Sequence, residues 1–474
     1  MQLEAARRAG KRQAAPFSKG EPKKDPATSG RRRGEQYGTK AHRPVPDHVD
    51  GEIGVPLPDA CPCCSGELEF LDEVDQYQEE IVVPVRGHVR RFRVSRGRCK
   101  RCGKRTQGRH PDQTSDAIGA AGSQVGPRAV AIAAQLNKEL GVAMGKVSKI
   151  LELFGVSITA GGLYQAIGRL ADAAGPTGQA LMVAVRQSTA VAADETGWRV
   201  AGHRQWLWVF VGDQGVTVYM IAPGRGYEQA TSVLGEDFSG VLERDGWAPY
   251  RRFEHAQHQT CLAHLLRRAG ELIADSVAGQ AKIPHAVRRL LQDALAVRDQ
   301  HADLLANRDQ VIDSTCVEVG DDRPLLGAGD DRDEMIDTAQ DRREHLDSEI
   351  ARLEQQLDAL LDRNPTHEPN RKLLKHLANE REHLLTFLRA PGIAATNWRA
   401  EQAIRPAVVN RKNWGGNRTA RGAHAQQTLM SVIRTSRQQD VCPITLLADL
   451  LRQATPAPSP MLRLPITAAD PRGP

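Results

Sequence analysis

Three acidic residues occupy sequence contexts that could bring carboxylates together around metal ions. They are Asp194 in Ala-Ala-Asp-Glu-Thr, Asp245 in Leu-Glu-Arg-Asp-Gly and Glu401 in Trp-Arg-Ala-Glu-Gln. Carboxylate oxygens are the hard donors that Mg²⁺ or Mn²⁺ prefers. Two such ions roughly 3.5–4 Å apart activate an attacking oxygen and stabilise a leaving one in phosphodiester chemistry. The three acids therefore predict metal-assisted phosphoryl transfer on nucleic acid.

Spacing alone leaves other interpretations of these acids open. A single Asp in a chain of 474 residues is most often a solvated surface charge. Glu401 could form an ordinary helical ion pair with Arg405. Glu195 and Glu243 stand close to the first two acids in sequence, and each competes with its neighbour for the role of metal ligand.

Four short segments are predicted to form the strands that hold the first two acids. Residues 189–193, 205–211, 216–221 and 240–244 are apolar with β-branched or aromatic members, and residues 213–215 indicate a turn. A helix is predicted near residues 227–234. The first strand is predicted to end at Asp194 and the last to deliver Asp245. Strand ends are where α/β sheets place their chemistry.

The third acid lies in a predicted helix. Asn397, Glu401 and Arg405 follow one another at intervals of four, so they share one helical face. We predict that this helix stops at Pro406, because proline cannot donate a helical hydrogen bond. A basic loop with glycines then covers residues 410–418 and suits phosphate contacts and base stacking. Its candidate DNA-binding residues are Arg411, Lys412, Trp414 and Arg418.

Several blocks of residues follow one another in an order that is specific. They are Asp194-Glu-Thr with Trp206-Leu-Trp-Val, Asp245-Gly, Cys261-Leu-Ala-His264, and Ala400-Glu401-Gln-Ala-Ile-Arg405-Pro406 with Arg411-Lys-Asn. In this order the chain resembles the transposases of the insertion sequence 66 family over residues 60–450. That family belongs to the DDE transposases, which have a ribonuclease H-like core. The resemblance implies that Asp194, Asp245 and Glu401 hold two Mg²⁺ (or Mn²⁺) ions, with His264 and Arg405 in the catalytic centre.

The resemblance also implies a reaction and a set of partners. The DNA would be cut at the end of a mobile element to free a 3′ hydroxyl, which then attacks target DNA. The expected partners are the terminal inverted repeats, the target DNA, small accessory proteins of the same element, and further copies of this chain. Two alternatives are a zinc-dependent, sequence-specific DNA-binding regulator with an inactive core and a ribonuclease H-like, structure-selective nuclease. The three intact carboxylates argue against the first, and the long N-terminal half argues against the second.

The cysteine spacing predicts a zinc site. Cys61 and Cys64 form one Cys-x-x-Cys pair, and Cys99 and Cys102 form another. Two such pairs can supply the four thiolates of a tetrahedral structural zinc site. Cys63 could replace either member of the first pair. The chain shows neither a signal peptide nor an apolar run of transmembrane length, so we expect a cytoplasmic, nucleoid-associated protein without membrane contact.

The N-terminal half is predicted to contain two further DNA-binding elements. Residues 1–50 carry twelve Lys or Arg against six Asp or Glu, a surplus equal to the net charge of +6 for the whole chain. This segment is predicted to be a disordered basic arm that is attracted to phosphates. Helices over residues 146–154 and 158–170 suggest a helix-turn-helix, although such pairs are common in any helical bundle. The residues available to a DNA groove are Tyr164, Gln165 and Arg169.

The predicted fold class is a multidomain α/β protein. Its predicted parts are a zinc-binding module at 55–110, a helical DNA-binding region at 125–186, a ribonuclease H-like core at 187–264 and 396–453, a helical insertion at 265–395 and a disordered tail at 454–474. Within the insertion, apolar residues recur at steps of three and four on both sides of Asn364-Pro365. This pattern predicts an antiparallel helical hairpin with a turn at that dipeptide.

Overall fold

A computed structural model describes residues 48–49, 87–108, 110–114, 124–277, 279–305 and 331–464, with only the backbone for 331–339. The chain divides into a unit of residues 1–87 and a unit of residues 88–474. Every helix and strand given below lies in the second unit. No helix in the described ranges combines the length and the apolar character needed to cross a membrane.

The first described element is a small antiparallel hairpin. Strand β1 is Arg96–Arg98 and strand β2 is Arg105–Gln107. Cys99 and Cys102 lie in the connection between them, and Gly103 closes it with φ +70°. A positive φ at this position favours glycine, since other residues are strained there.

A five-stranded mixed sheet forms the centre of the unit. Its strands are β3 (Ala190–Val200), β4 (His203–Val211), β5 (Thr217–Ala222), β6 (Val241–Arg244) and β7 (Gln257–Thr260). The spatial order is β5-β4-β3-β6-β7. β3, β4 and β5 are antiparallel neighbours, whereas β6 and β7 run parallel to β3. The described part of the chain is therefore a mixed α/β fold, as the sequence predicted.

Helices from the N-terminal half cover one face of this sheet. They are α1 (Pro127–Lys138), α2 (Met144–Leu153), α3 (Ala160–Arg186) and, after β5, α4 (Tyr227–Leu234). Leu163, Ile167 and Leu170 of α3 are buried, as their spacing predicted. These helices share one hydrophobic core with the sheet residues Val191 and Ala193. The helical region and the sheet are thus packed as one body.

A second core belongs to the helices between β7 and the third acid. They are α5 (Leu262–Ala274), α6 (Lys282–Gln300), α7 (Asp331–Leu361) and α8 (Glu368–Asn379), with two short 3-10 turns at Arg381–His383 and Thr386–Leu388. The predicted hairpin is confirmed, because α7 and α8 are joined around Asn364-Pro365. All the apolar residues of the predicted repeat are buried there: Leu346, Ile350, Leu353, Leu357, Leu360, Leu373, Leu377, Leu384 and Leu388.

The C-terminal part of the described chain forms three helices. They are α9 (Trp398–Trp414), α10 (Ala420–Gln438) and α11 (Pro443–Arg452). α9 packs on the sheet face opposite α3, with Ala400, Ala403 and Ala407 in a third core that also contains Ala192 and Leu207. Small side chains on α9 allow the helix to lie close to the sheet.

Helix α10 covers the open edge of strand β5. Side chains one turn apart on the helix accept hydrogen bonds from alternate backbone N–H groups of the strand. The pairs are Thr217 to Thr435 Oγ1 (3.0 Å), Tyr219 to Ser431 Oγ (2.8 Å) and Ile221 to Gln427 Oε1 (2.9 Å). An uncovered strand edge is a template for unwanted pairing, so this arrangement protects the sheet.

The predicted disordered tail is wrong for residues 454–464, since Leu462 is buried in the first core and the Ser459 N–H donates to Thr177 Oγ1 over 3.0 Å. Two predicted element boundaries next to the first and third acids are also wrong. β3 does not end before Asp194 but continues to Val200, because it pairs with β4 along its whole length before the turn at Ala201-Gly202. α9 does not stop at Pro406 but continues to Trp414. A proline inside a helix removes one hydrogen bond, and the packing of α9 on the sheet outweighs that loss.

Candidate active site

The strand register brings Asp194 and Asp245 together. β3 and β6 are parallel, and Ala192 is paired with Glu243. Asp194 and Asp245 each lie two residues further along, so their side chains point to the same sheet face from neighbouring strands. β6 ends at Arg244 while β3 continues, so Asp194 lies where the parallel pairing stops. The prediction that both acids lie at one end of the parallel strands therefore agrees with the register, although Asp194 is in the middle of its own strand.

Helix α9 brings Glu401 to the same face. Glu401 lies in the first turn of α9, next to Ala400, which is fully buried against the sheet. Asn397 ties the start of this helix to the sheet, since its Nδ2 donates to the carbonyl of Ala193 over 2.7 Å. The backbone N–H of Asn397 also contacts Cys261 Sγ at 3.2 Å. The start of α9 is thereby anchored on both β3 and the segment that follows β7.

Asp194 lies in negatively charged surroundings. Burial raises the pKa of Asp194 to about 7, and the negative charges of Glu195, Asp245 and Glu401 act in the same direction. The Glu195 backbone N–H donates to Asp194 Oδ1 over 2.8 Å and offsets part of this effect. One oxygen of Glu401, Oε1, is buried and makes no hydrogen bond to any described residue. A buried carboxylate group that is short of positive charge is a suitable site for a divalent cation.

His264 lies beside Glu401. It projects from the first turn of α5, and its Nδ1 is 3.7 Å from Glu401 Oε1. Cys261 completes a group of three possible ligand atoms that lie within 4.8 Å of one another. Contact with Cys261 raises the pKa of His264, as do the charges of Glu401 and Asp245, while burial acts in the opposite direction. The resemblance implied that His264 lies in the catalytic centre, and in the structure both Cys261 and His264 lie beside Glu401.

The two competing carboxylates each lie beside a guanidinium. Glu195 points to the opposite sheet face, where it pairs with Arg225 and accepts a hydrogen bond from Tyr250 Oη at 2.7 Å. Glu243 shares the face of Asp194 but lies 3.4 Å from Arg399 Nη2 and accepts from the Ala394 N–H at 3.2 Å. Each of these two acids lies within 3.4 Å of a guanidinium nitrogen, whereas the guanidinium nearest to Asp245 is 3.9 Å away.

Arg225 is a site residue that the sequence did not indicate. Its guanidinium pairs with Glu195 and lies 3.9 Å from Asp245 Oδ2, so it connects the two sheet faces at the site. It also stacks 4.0 Å from the ring centroid of Trp247 and 5.0 Å from that of Trp206. It follows β5 in a loop, and only the three-dimensional fold brings it to the acids.

Two exposed tryptophans flank the carboxylates. Trp398 is 53% exposed at the start of α9, and Trp247, two residues after Asp245, is 36% exposed. The Trp247 backbone N–H donates to Asp245 Oδ1 over 2.9 Å. Their closeness to the acids in sequence was the available signal, but the sequence could not show which tryptophans face solvent.

The residues after Pro406 divide into packed and exposed groups. Arg411 is half-buried. Its guanidinium donates hydrogen bonds to strand β3, at Thr196 Oγ1 over 2.9 Å and at the Gly197 carbonyl. Trp414 packs edge-on against Trp198, with the ring centroids 5.8 Å apart, and is half-buried. Both lie inside helix α9 and not in the predicted loop. Lys412 and Arg418 of the predicted DNA-binding set are exposed, as is Arg405, which was predicted to lie in the catalytic centre.

The remaining predicted site residues lie elsewhere in the fold. Tyr164, Gln165 and Arg169 are exposed on one side of α3, as a DNA-reading role requires. Cys99 and Cys102 are exposed in the β1–β2 connection, where the Cys102 N–H lies 3.5 Å from Cys99 Sγ. This backbone contact lowers the pKa of Cys99 and favours its thiolate form. Cys61 and Cys64 lie outside the described residues.

Comparison with known proteins gives a family and one curated relative. The uncharacterized protein y4hP of Sinorhizobium fredii is 35% identical over 83 residues, which are 18% of this chain and 15% of that protein. The chain therefore matches only a small part of the length of that relative. A family model described as the transposase IS66 family matches residues 122–425. This span is more than half of the chain and contains Asp194, Asp245 and Glu401, so the chain belongs to the IS66 transposase family.

Proposed function

We propose that this protein is a DDE transposase that cleaves DNA at the ends of an insertion sequence and joins those ends to target DNA. The observation that carries the proposal is the convergence of Asp194, Asp245 and Glu401 on one sheet face without enough positive charge to neutralise them. Membership of a transposase family makes DNA the expected substrate. Phosphoryl transfer depends mainly on positioning and charge neutralisation, which such a site can provide.

The three carboxylates would hold two Mg²⁺ ions. Bound there, the ions neutralise charge on the attacking and leaving oxygens. Asp194 supplies a ligand once it has lost its proton. Arg225 and the Trp247 N–H orient Asp245, while Asn397 fixes the start of α9 and with it Glu401. His264 faces Glu401 and orients that carboxylate from the side of α5.

A ribonuclease H-like core is the architecture that we propose for this site. Its support is a mixed sheet in which β3–β5 are antiparallel and β6 and β7 run parallel to β3. The first acid lies on the central strand, the second follows the adjacent parallel strand and the third is on a helix after the insertion. The helices α5–α8 would then be an insertion between the second and third acids.

The other parts of the proposal rest on sequence pattern and exposure. We propose that the two cysteine pairs bind one zinc ion per protomer, that α3 reads DNA through Tyr164, Gln165 and Arg169, and that Lys412 and Arg418 contact phosphates. Terminal inverted repeats, accessory proteins and further copies of the chain are the proposed partners. Zinc analysis of the reduced protein, with Cys102→Ser as the comparison, tests the metal content.

Isosteric substitution of the triad tests the proposed chemistry. Asp194→Asn, Asp245→Asn and Glu401→Gln should each abolish end cleavage and strand transfer while DNA-end binding and folding persist, because each change keeps shape and removes one ligand charge. Double variants should be no worse than single ones, since residues that act as a unit are strongly non-additive. The exposed Glu254→Gln is the matched control. Cleavage at the normal rate by any triad variant would remove that residue from the proposed site.

A further inference from the structure

A second cluster of metal-binding side chains lies in the helical insertion, away from the three acids. His301 is the residue at the end of α6, and His345 and Glu349 lie one turn apart on α7. One ligand atom from each of the three side chains lies within 4.8 Å of the other two. Two imidazoles and one carboxylate form a known ligand set for zinc and related transition metals.

The distances between the ligand atoms of the cluster are close to those expected around one metal ion. His301 Nε2 is 3.1 Å from Glu349 Oε2, and His345 Nε2 is 3.9 Å from the same oxygen. Ligands bonded to one tetrahedral zinc at about 2.0–2.2 Å lie roughly 3.3–3.5 Å apart, between these two distances. The His301–His345 ring centroids are 5.4 Å apart, so the two imidazoles approach the oxygen from separate directions.

An ordinary hydrogen-bond explanation accounts for only part of this arrangement. His301 can donate to Glu349, but His345 at 3.9 Å is beyond hydrogen-bond distance from the same oxygen. His301 is 4% exposed, whereas His345 faces solvent. The other carboxylate oxygen of Glu349, Oε1, lies 3.6 Å from Arg352 Nη2, which leaves Oε2 directed at the histidines.

The helix that carries His301 adds a second, independent feature. The backbone N–H of His301 donates to the Val297 carbonyl over 3.1 Å, so His301 caps the C-terminal end of a nineteen-residue helix. The carbonyl groups at such an end carry partial negative charge and favour a nearby cation. The cluster therefore combines three ligand atoms, one exposed side for entry and a favourable helix dipole.

We propose that His301, His345 and Glu349 form a zinc-type divalent metal site that ties the end of α6 to α7. Three protein ligands leave a fourth position on the side of His345, which water can occupy. This site shares no ligand with the proposed cysteine site or with the three acids on the sheet. Its role is to fix the relative position of two helices within the second core.

Zinc content of the full-length protein tests the site by difference. After dialysis against buffered zinc, His345→Ala and Glu349→Gln should each contain one zinc fewer per protomer than the wild type. Their affinity at this position should fall about 10–100-fold or more, since even changes outside the ligand shell have effects of that size. His285→Ala, an exposed histidine on the same helix α6, is the matched control and should keep the wild-type content.

Cobalt spectroscopy identifies the ligands of the lost ion. The difference spectrum between cobalt-loaded wild type and His345→Ala should contain tetrahedral d–d absorption without a thiolate-to-metal charge-transfer band, because no sulfur takes part. An unchanged unfolding midpoint of metal-free His345→Ala shows that the fold is retained. Equal zinc content in wild type and both variants, or a thiolate band in the difference spectrum, would overturn the proposal.

Discussion

The buried carboxylates differ in the charges that surround them. Glu195, Glu243 and Glu380 each face a guanidinium, although burial still raises the pKa of Glu195 and of Glu243. Asp194 instead faces other carboxylates, and its pKa rises to about 7. A buried carboxylate without a cation must take up a proton or bind a metal. The surroundings of Asp194 therefore favour a bound cation, and this argument does not depend on sequence motifs.

At this scale we expect Trp398 to bind DNA and Trp414 to support the fold. Trp398→Ala should weaken binding of DNA ends with unpaired bases by about 1–3 kcal/mol, since that is the usual contribution of one stacked base. Trp414→Ala should lower the free energy of unfolding but leave the dissociation constant unchanged, because Trp414 packs against Trp198. Fluorescence anisotropy and urea unfolding of both variants make the comparison. If Trp398→Ala and Trp414→Ala changed the dissociation constant equally, Trp398 would not be a specific DNA contact.

Glu380 provides a second residue-scale prediction. It is fully buried and paired with Arg244 and Arg251, and it accepts a hydrogen bond from Thr260 Oγ1 at 2.7 Å. Glu380→Gln should reduce the free energy of unfolding by about 3–5 kcal/mol, because it leaves buried guanidinium charge uncompensated. Glu382→Gln should stay within about 0.5 kcal/mol of wild type, since Glu382 is exposed. A stable Glu380→Gln variant that has lost cleavage would instead favour Glu380 as a metal ligand.

The same residue gives a pH dependence with a definite sign. Burial acts to raise the pKa of Glu380, but Arg244, Thr260 and Arg251 together hold it below its ordinary value. The unfolded chain then binds the proton at higher pH than the folded chain does. The contribution of Glu380 is therefore present above its ordinary pKa of 4.5 and is lost as the pH falls through the folded value. The stability difference between wild type and Glu380→Gln should shrink on acidification.

The sequence shows which acids stand in recognisable contexts, but it does not show which residues each acid contacts in the fold. Asp194, Asp245 and Glu401 stand in recognisable blocks, so they could be selected as candidates. The partners that exclude Glu195 and Glu243 come from distant positions, among them Arg225, Tyr250 and Arg399. Those contacts depend on the packed fold, and for this reason the sequence left both acids as competitors.

At the scale of elements, local pattern predicted strands and helices well where a turn residue marked their ends. The helix at Tyr227–Leu234 and the turn between α7 and α8 are confirmed. The errors arise where tertiary packing overrides a local signal. Pairing with β4 extends β3 beyond Asp194, and contact with the sheet carries α9 through Pro406.

The continuation of α9 through Pro406 leads to a prediction about stability. Proline at this interior position cannot donate to the carbonyl four residues earlier, so Pro406→Ala should restore one helical hydrogen bond. We expect the free energy of unfolding to rise by about 1–3 kcal/mol, less than the full cost of an interior proline because the unfolded chain also gains freedom. Pro365→Ala, in the turn between α7 and α8, should be neutral or slightly destabilising. Chemical unfolding measures both, and a destabilised Pro406→Ala would show that α9 needs its proline.

At the scale of the whole molecule, the candidate site lies where three packed cores meet. Asp194 and Glu401 border the core between α9 and the sheet, which contains Ala192 and Ala400. Glu195 borders the core of the N-terminal helices through Tyr250. His264 belongs to α5, whose apolar residues Leu262 and Leu265 lie in the core of the insertion. A ligand that draws these acids together should therefore stabilise the sheet and the insertion jointly.

Magnesium should accordingly stabilise the whole described unit, and its effect should depend on pH. In the metal-free protein Asp194 has a pKa of about 7 against an ordinary value of 3.8, so the folded state keeps a proton that the unfolded chain loses. Stability without metal should fall as the pH rises between these values, and Mg²⁺ binding should strengthen, because the ion requires the ionised carboxylate.

Mg²⁺ at ten times its dissociation constant should raise the free energy of unfolding by about 1.4 kcal/mol, and a fixed concentration should have more effect at pH 8 than at pH 6. Thermal unfolding with and without Mg²⁺ at both pH values measures this linkage. Asp194→Asn should lose both the response to Mg²⁺ and the dependence of that response on pH, because it carries no titratable proton. Glu382→Gln should retain both, because Glu382 is exposed and is not one of the three acids. An equal Mg²⁺ response in wild type and Asp194→Asn would show that the ion binds away from the sheet, and the convergence of the three acids would then require another explanation.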